Sequence, residues 1–375
     1  MEIICFALPF LVAIFLLLFF RKETVWWEYV IVIIPSLLFF IITRCIMISV
    51  NENDVEYLGG YITKVRHYDE WDEWITRTCS RQVPDGKDAN GNTKYRTEYY
   101  DCSYRDYHPE RWTYFDDEGN EHWLYFKEEF DKIRLQFGTS MNFVDMHRDY
   151  YRIDGDAQDY YWDGNKSKIY TITNEHQYKN KIQNSRSTFN FIEITKKEAD
   201  TLGLYDYPKI EEYDQNPILS KTPVDSKSIR FLNGYYGREY QFRNYILLFN
   251  NSDIEISELQ RSYWKGGNKN ELVVCLGVDD SLNVKWCNAF SWCDAPTLEV
   301  RTESYFSEVD SLDLKGYSSM IIKCLENGEW ERKEFADFDY IKSEVSTTQE
   351  LILLLLVALY NIGISIFVVL NKIRN

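Results

Sequence analysis

Three unbroken apolar stretches stand apart from the rest of the chain, at residues 3–20, 26–50 and 351–370. Each is as long as an α-helix must be to cross the hydrocarbon of a bilayer, and each is almost free of charge. The pattern predicts transmembrane helices over 1–22, 26–50 and 350–371, two N-terminal and one C-terminal. Between them lies a polar block whose two ends must return to one membrane face, so residues near Asn51 and Gln349 should meet at its base.

The flanks give a direction. The short loop after the first stretch holds Arg21 and Lys22, and the tail after the third holds Lys372 and Arg374. Short segments rich in Lys and Arg stay in the cytoplasm. The expected protein is a multi-pass protein of the cell membrane with its N-terminus outside, its C-terminus cytoplasmic and its main domain extracytoplasmic. A cleaved signal peptide fits less well, because the basic pair follows the first apolar stretch instead of preceding it. Arg44 in the second stretch either snorkels to the outer interface or pairs with another group. Asn361 in the third is a candidate contact between helices.

Within the block the pattern is mostly that of strands. Residues 61–68, 71–79, 93–107, 112–115 and 122–126 are aromatic, β-branched and alternating. Residues 126–137 repeat Phe126, Phe130, Ile133 and Phe137 at helical spacing, with Gly138 placed to stop the helix. Residues 139–187 are polar and rich in Tyr and Asp, and give no clear element. Residues 189–194 alternate as a strand, and Thr195 with Glu198 forms a capping box for a short helix ending at Gly203. The stretch 206–228, with Pro208, Pro217 and Pro223, reads as a linker. Beyond it, a buried strand at 245–249, a helix from a second capping box at Ser252 to Trp264, and a strand at 272–278 predict a βαβ unit. A hairpin around Asn327-Gly328 should pair 320–325 with 329–335. The fold class is therefore three transmembrane α-helices and a large α+β, β-rich extracytoplasmic domain, divided into a β-rich part at 51–205 and an α/β part at 229–345.

Composition narrows the partners. The net charge is −17, and the acid surplus lies entirely in the middle block, which excludes a nucleic-acid footprint. Of eight cysteines, six lie in the block. Cys79 and Cys102 are equidistant from Asn90-Gly91, the dipeptide that tight hairpin turns favour. They would face each other across a hairpin and form a disulfide. Cys275 and Cys287, symmetric about Ser281, and the remaining Cys293 and Cys324 are weaker pairings, with buried free thiols as the alternative.

No catalytic motif is present: no Gly-x-Ser-x-Gly elbow, phosphate-binding Walker loop or His-Glu-x-x-His. The glycine-rich turn at Lys265–Asn270 follows a helix, so it reads as a C-cap and not a phosphate cradle. His67 and His108 near carboxylates, and Asp154, Asp156 and Asp159, lack metal-ligand spacing, and no metal or cofactor is expected. The most unusual stretch is 67–74. If extended, it sets Trp71 and Trp74 on opposite faces beside Asp69, Asp72 and Glu73, an arrangement suited to sugars or cationic peptides, or simply to a β core coated with acids. The expected function is a membrane-anchored extracytoplasmic binding or interaction protein, non-catalytic, with the lipid bilayer and a protein or polymer outside as partners. A homo-oligomer is compatible with it. A tethered hydrolase and a subunit of an oligomeric channel or transporter are the alternatives.

Overall fold

The computed structural model describes residues 2–21, 24–139, 141–144, 155–181, 191–250, 253–293, 295–332, 340–341, 343 and 345–371. Lys22, Lys372, Arg374, Asp154, Tyr150 and Tyr151 therefore lie outside the described residues.

The three apolar stretches are helices α1 (Glu2–Phe19), α2 (Trp26–Glu52) and, at the far end, a third helix at Thr347–Asn371. All three are long and apolar enough to cross a membrane. They pack on one another through two small clusters, one around Cys5, Phe40, Leu353 and Val357 and one around Leu16, Val32 and Val368. Their remaining surface is apolar and exposed, the reverse of a water-soluble bundle. Arg44 does pair: its Nε donates to Glu2 Oε1 at 2.7 Å. Because Glu2 starts α1, this ion pair lies a full two turns below the end of α2. Asn361 does not bridge helices, since its amide donates to Val357 O of its own helix at 2.8 Å.

The two ends of the block meet as its tether requires. The side-chain amides of Asn51 and Gln349 exchange two hydrogen bonds, of 2.8 and 2.7 Å. Directly after Asn51 the chain turns from α2 into β1 (Asn53–Tyr68) with no connecting loop.

Strand β1 is the spine of the β-rich part. Its first half pairs with β10 (Thr171–Lys179); its second half lies between β6 (Arg111–Asp116) and β9 (Ala157–Tyr161). Strands β7 (Glu121–Leu124) and β8 (Met141–Val144) extend the sheet on either side. Helix α3 (Lys127–Phe137) lays Phe130, Ile133 and Phe137 onto Ile62, Val65 and Tyr114, and Gly138 ends it at φ 90°. On this sheet Asp159 is almost fully covered and is gripped by the Arg66 guanidinium, with Lys64 Nζ at 3.2 Å. Burial alone would raise its pKa, but these cations outweigh burial and hold it below the usual carboxylate value.

The second part is a four-stranded sheet in the order β11 (Ile218–Leu219), β12 (Arg243–Asn250), β13 (Glu271–Val278) and β14 (Val284–Ser291). The first three strands are parallel and β14 is antiparallel. Strands β12 and β13, joined by α6 (Glu255–Tyr263), form the expected βαβ unit. They are buried along nearly their whole length, as strands covered on both faces must be. One face packs under α6, with Trp264 and Tyr205. The other packs under α5 (Lys227–Phe231), α7 (Pro296–Glu308) and α8 (Leu314–Glu326). The proline-rich stretch 206–228 packs closely: Tyr207 is in the second core, Asp214 N donates to Thr171 O, and β11 joins the sheet.

Several expectations are corrected. Residues 320–325 belong to helix α8, not to a hairpin strand. Gly328, at φ 74°, caps that helix by donating to Leu325 O. Residues 191–194 form no strand before the capped helix α4 (Lys196–Leu202), and 189–190 lie outside the described residues, as does Ser252 of the second capping box. Ile254 occupies that N-cap position. Cys275, Cys287, Cys293 and Cys324 form no disulfide among the described residues. Cys275 faces one core and Cys287 the other, on opposite sides of the sheet, so they cannot bridge. Burial pushes both thiols up, and Cys324 to about 11, which leaves all three unreactive.

The two parts are locked together at β1. Gly59 lies so close to Asn233 that a Cβ there would sit 1.8 Å from its carbonyl oxygen. The Asn270 amide donates to Tyr57 O at 2.9 Å. Glu56, with no exposed surface, accepts from Arg332 Nε at 3.0 Å and contacts His176 Nδ1 at 2.6 Å and Lys269 Nζ at 3.5 Å.

Candidate functional site

Residues 69–108 leave the sheet as a ribbon and return to it. Its root is β2 (Trp71–Ile75) paired with β5 (Tyr104–His108), and its outer part is β3 (Thr78–Lys87) paired with β4 (Thr93–Asp101). Among the described residues, neither pair is hydrogen-bonded to a third strand. Most of β3 and β4 is exposed on both faces, so this arm has no core of its own.

The Cys79–Cys102 disulfide is present, with Cα atoms 5.7 Å apart, but the expected register is not. Cys79 lies opposite Tyr100, and Cys102 N donates to Arg77 O, so the bridge is diagonal. Two local features produce the offset. The turn is wider than a two-residue loop: Gly91 N donates to Asp88 O, Asp88 N donates to Asn92 O, and Gly91 takes φ 86°. A second irregularity falls between Pro84 and Lys87. Each moves the register by one residue in the same sense. A slip of one would have put the cysteines on opposite faces, whereas a slip of two keeps them together. The Asp88 carboxylate stabilises the turn by accepting from Asn92 N and Asn90 N, which keeps its pKa low.

At the root, Trp71 and Trp74 do point to opposite faces. The Trp71 ring stacks on His108, centroids 4.8 Å apart, and sits against Gly155, where a Cβ would come within 3.1 Å of Trp71 Cδ1. The ring is thus a wedge between arm and sheet. Trp74, two-thirds exposed, makes no such contact. The carboxylates are engaged locally: Asp72 with Arg105, Glu73 with His108 at 3.2 Å, and Asp69 with His67 at 3.5 Å. Glu70 accepts from the Tyr107 hydroxyl, which raises that tyrosine's pKa. The acidic run therefore shapes the root and offers no group of metal ligands. Among the described residues no three His, Cys, Asp or Glu side chains come together as a metal site.

Sequence reasoning missed the strongest feature of the arm. The register is the same at the Trp71–His108 and Thr78–Asp101 pairs, and the Arg77–Cys102 bond carries it across the break. Alternation then puts Trp74, Tyr95, Tyr99 and Tyr107 on one face. They are 66, 63, 72 and 56% exposed. The opposite face carries the disulfide and the Arg81–Glu98 ion pair, with Arg81 lying over Tyr100. Of the four, only Trp74 stands out in the sequence, through the acidic aromatic run at 67–74. The stripe itself depends on a register set by the turn and the bulge.

Two other concavities are less suited to function. A cleft of about 710 Å³ gathers Glu129, Glu211, Glu212 and Asp214 beside Tyr170, with no histidine in its lining. A groove of about 390 Å³ between α1 and the C-terminal helix is lined by apolar side chains and Ser365, and by neither Arg44 nor Asn361. The Lys265–Asn270 turn is a helix C-cap, with Gly266 N and Gly267 N donating to carbonyls of Arg261 and Trp264. Comparison of the chain with protein-family models, with curated proteins and with solved structures finds no match.

Proposed function

We propose that the chain is an integral membrane protein that holds a binding arm outside the cytoplasm. Its three helices anchor it with the N-terminus outside and the C-terminus cytoplasmic. The β-rich block stands on the outer face, and the ribbon at 69–108 engages a protein or polymer partner there. The role is binding and not catalysis. The observation that carries this reading is the arm itself: a coreless ribbon, braced by a disulfide, that presents four solvent-exposed rings on one face. Aromatic side chains gathered on one exposed face mark interaction surfaces. The disulfide supports the extracytoplasmic setting, because structural disulfides persist in oxidising compartments. The Glu2–Arg44 pair fits successive antiparallel crossings by α1 and α2, since it puts the start of α1 level with the last turns of α2.

The test is photo-crosslinking in intact cells with a benzophenone amino acid, which inserts into C–H bonds of protein or glycan alike. Placed at Tyr99 it should give a high-mass adduct, and at exposed Leu135 on α3 it should not. Absence of any Tyr99-dependent adduct contradicts a binding role for the arm.

A further inference from the structure

Building on the binding reading above, we infer that the open face of the arm takes an extended, uncharged glycan chain. The face has two aromatic stations. Tyr95 and Tyr99 lie four residues apart on β4, roughly 13 Å at about 3.3 Å per residue. Trp74, opposite Arg105, and Tyr107 form the second station, roughly 20 Å from Tyr99 by the same rise. A small molecule cannot span both, but a polymer can. Between and around the rings the face offers neutral hydrogen-bonding groups. Gln82 and Thr97 pair across the ribbon at 3.0 Å between the two tyrosines, and Ser80 lies opposite Tyr99. The charges on this face are few and of mixed sign: Asp72 pairs with Arg105, Glu70 accepts from the Tyr107 hydroxyl, Asp101 accepts from Ser103, and Lys87 lies opposite Thr93 toward the tip.

This pattern selects by chemistry. A cationic peptide or a polyanion requires a run of charges of one sign, which this face lacks, and an apolar protein partner requires a contiguous apolar patch, which rings this far apart do not make. Isolated rings separated by hydroxyls and an amide match a sugar chain, whose C–H faces stack on aromatics while its hydroxyls exchange hydrogen bonds. The arm is rigid enough for such a ligand because the disulfide braces the opposite face.

Affinity electrophoresis of the detergent-solubilised full chain tests this in gels containing glucomannan, mixed-linkage β-glucan or dextran, with polygalacturonate as the charged control. The expected result is retardation by a neutral polysaccharide. Tyr95→Ala and Tyr99→Ala should each weaken it roughly fivefold, as expected for loss of one stacking ring. The double variant should abolish it, and Arg81→Ala on the braced face should leave it intact. Both tyrosines are exposed, and a Cys79–Cys102 linkage in each variant verifies the fold. No retardation in any neutral gel, retardation by polygalacturonate alone, or tyrosine variants that run as wild type would overturn the inference. A Tyr99 photo-adduct that is protein, with no neutral-glycan retardation, would overturn it while leaving the binding role of the arm standing.

Discussion

Glu56→Gln is expected to destabilise the folded block by about 3–5 kcal/mol, the cost of breaking a buried ion pair from one side. The carboxylate has no exposed surface, and the side chains around it include Arg332 and Lys269, themselves 9 and 5% exposed. These groups come from separate places in the chain. Glu56 is on β1, its cross-strand neighbour His176 on β10, Lys269 between α6 and β13, and Arg332 beyond α8. Removing the negative charge takes from two desolvated cations the buried carboxylate that both contact. The cluster is also an electrostatic tie between the β-rich sheet and the α/β part, beside the Arg238–Asp117 pair. Urea denaturation followed by tryptophan fluorescence should therefore show a lower midpoint. A loss below about 1 kcal/mol would put Glu56 in the class of ordinary surface pairs and refute this description of the junction.

Replacing Cys79 and Cys102 together by serine should act quite differently. A two-stranded ribbon with no third strand and no core is marginal in water. Closing the loop between these cysteines, 23 residues apart in sequence, stabilises it by about 3 kcal/mol through the unfolded state. Without the bridge, amide exchange in β3 and β4 should approach unfolded rates. Protection in β12 and β13, buried on both faces, should not change, nor should the global urea midpoint. Retained protection in β3 and β4 would mean that strand pairing alone holds the arm. Loss of protection in β12 would mean that the arm and the block unfold as one unit.

The two variants mark the difference between what is written locally and what is not. The apolar helices are legible because length and composition alone mark a helix able to cross a membrane. The meeting of Asn51 and Gln349 follows from topology alone. The βαβ unit is legible because doubly covered strands become continuous apolar runs. Strands β9 and β10 are not, because their sequences are polar and Tyr-rich. They become strands by pairing with β1, about a hundred residues away. The Asn327-Gly328 dipeptide suits a hairpin and a helix end equally, and Tyr317, Ile321, Cys324 and Leu325, all buried on one side of α8, decide for the helix. At the arm, the acidic aromatic run at 69–74 attracts attention in the sequence. Yet its acids are consumed by neighbours and Trp71 is a wedge. The open rings Tyr95 and Tyr107 lie on the returning strands, and only the observed register aligns them with Trp74.

The central claim is a head outside the cytoplasm that carries a disulfide-braced arm. Its most direct test is peptide mapping under non-reducing conditions, with thiols alkylated at lysis and the chain taken from its native membrane. The expected result is a linked Cys79–Cys102 peptide, with Cys275, Cys287, Cys293 and Cys324 recovered as alkylated thiols. Recovery of Cys79 and Cys102 as alkylated thiols in the native protein would contradict both the braced arm and its extracytoplasmic setting.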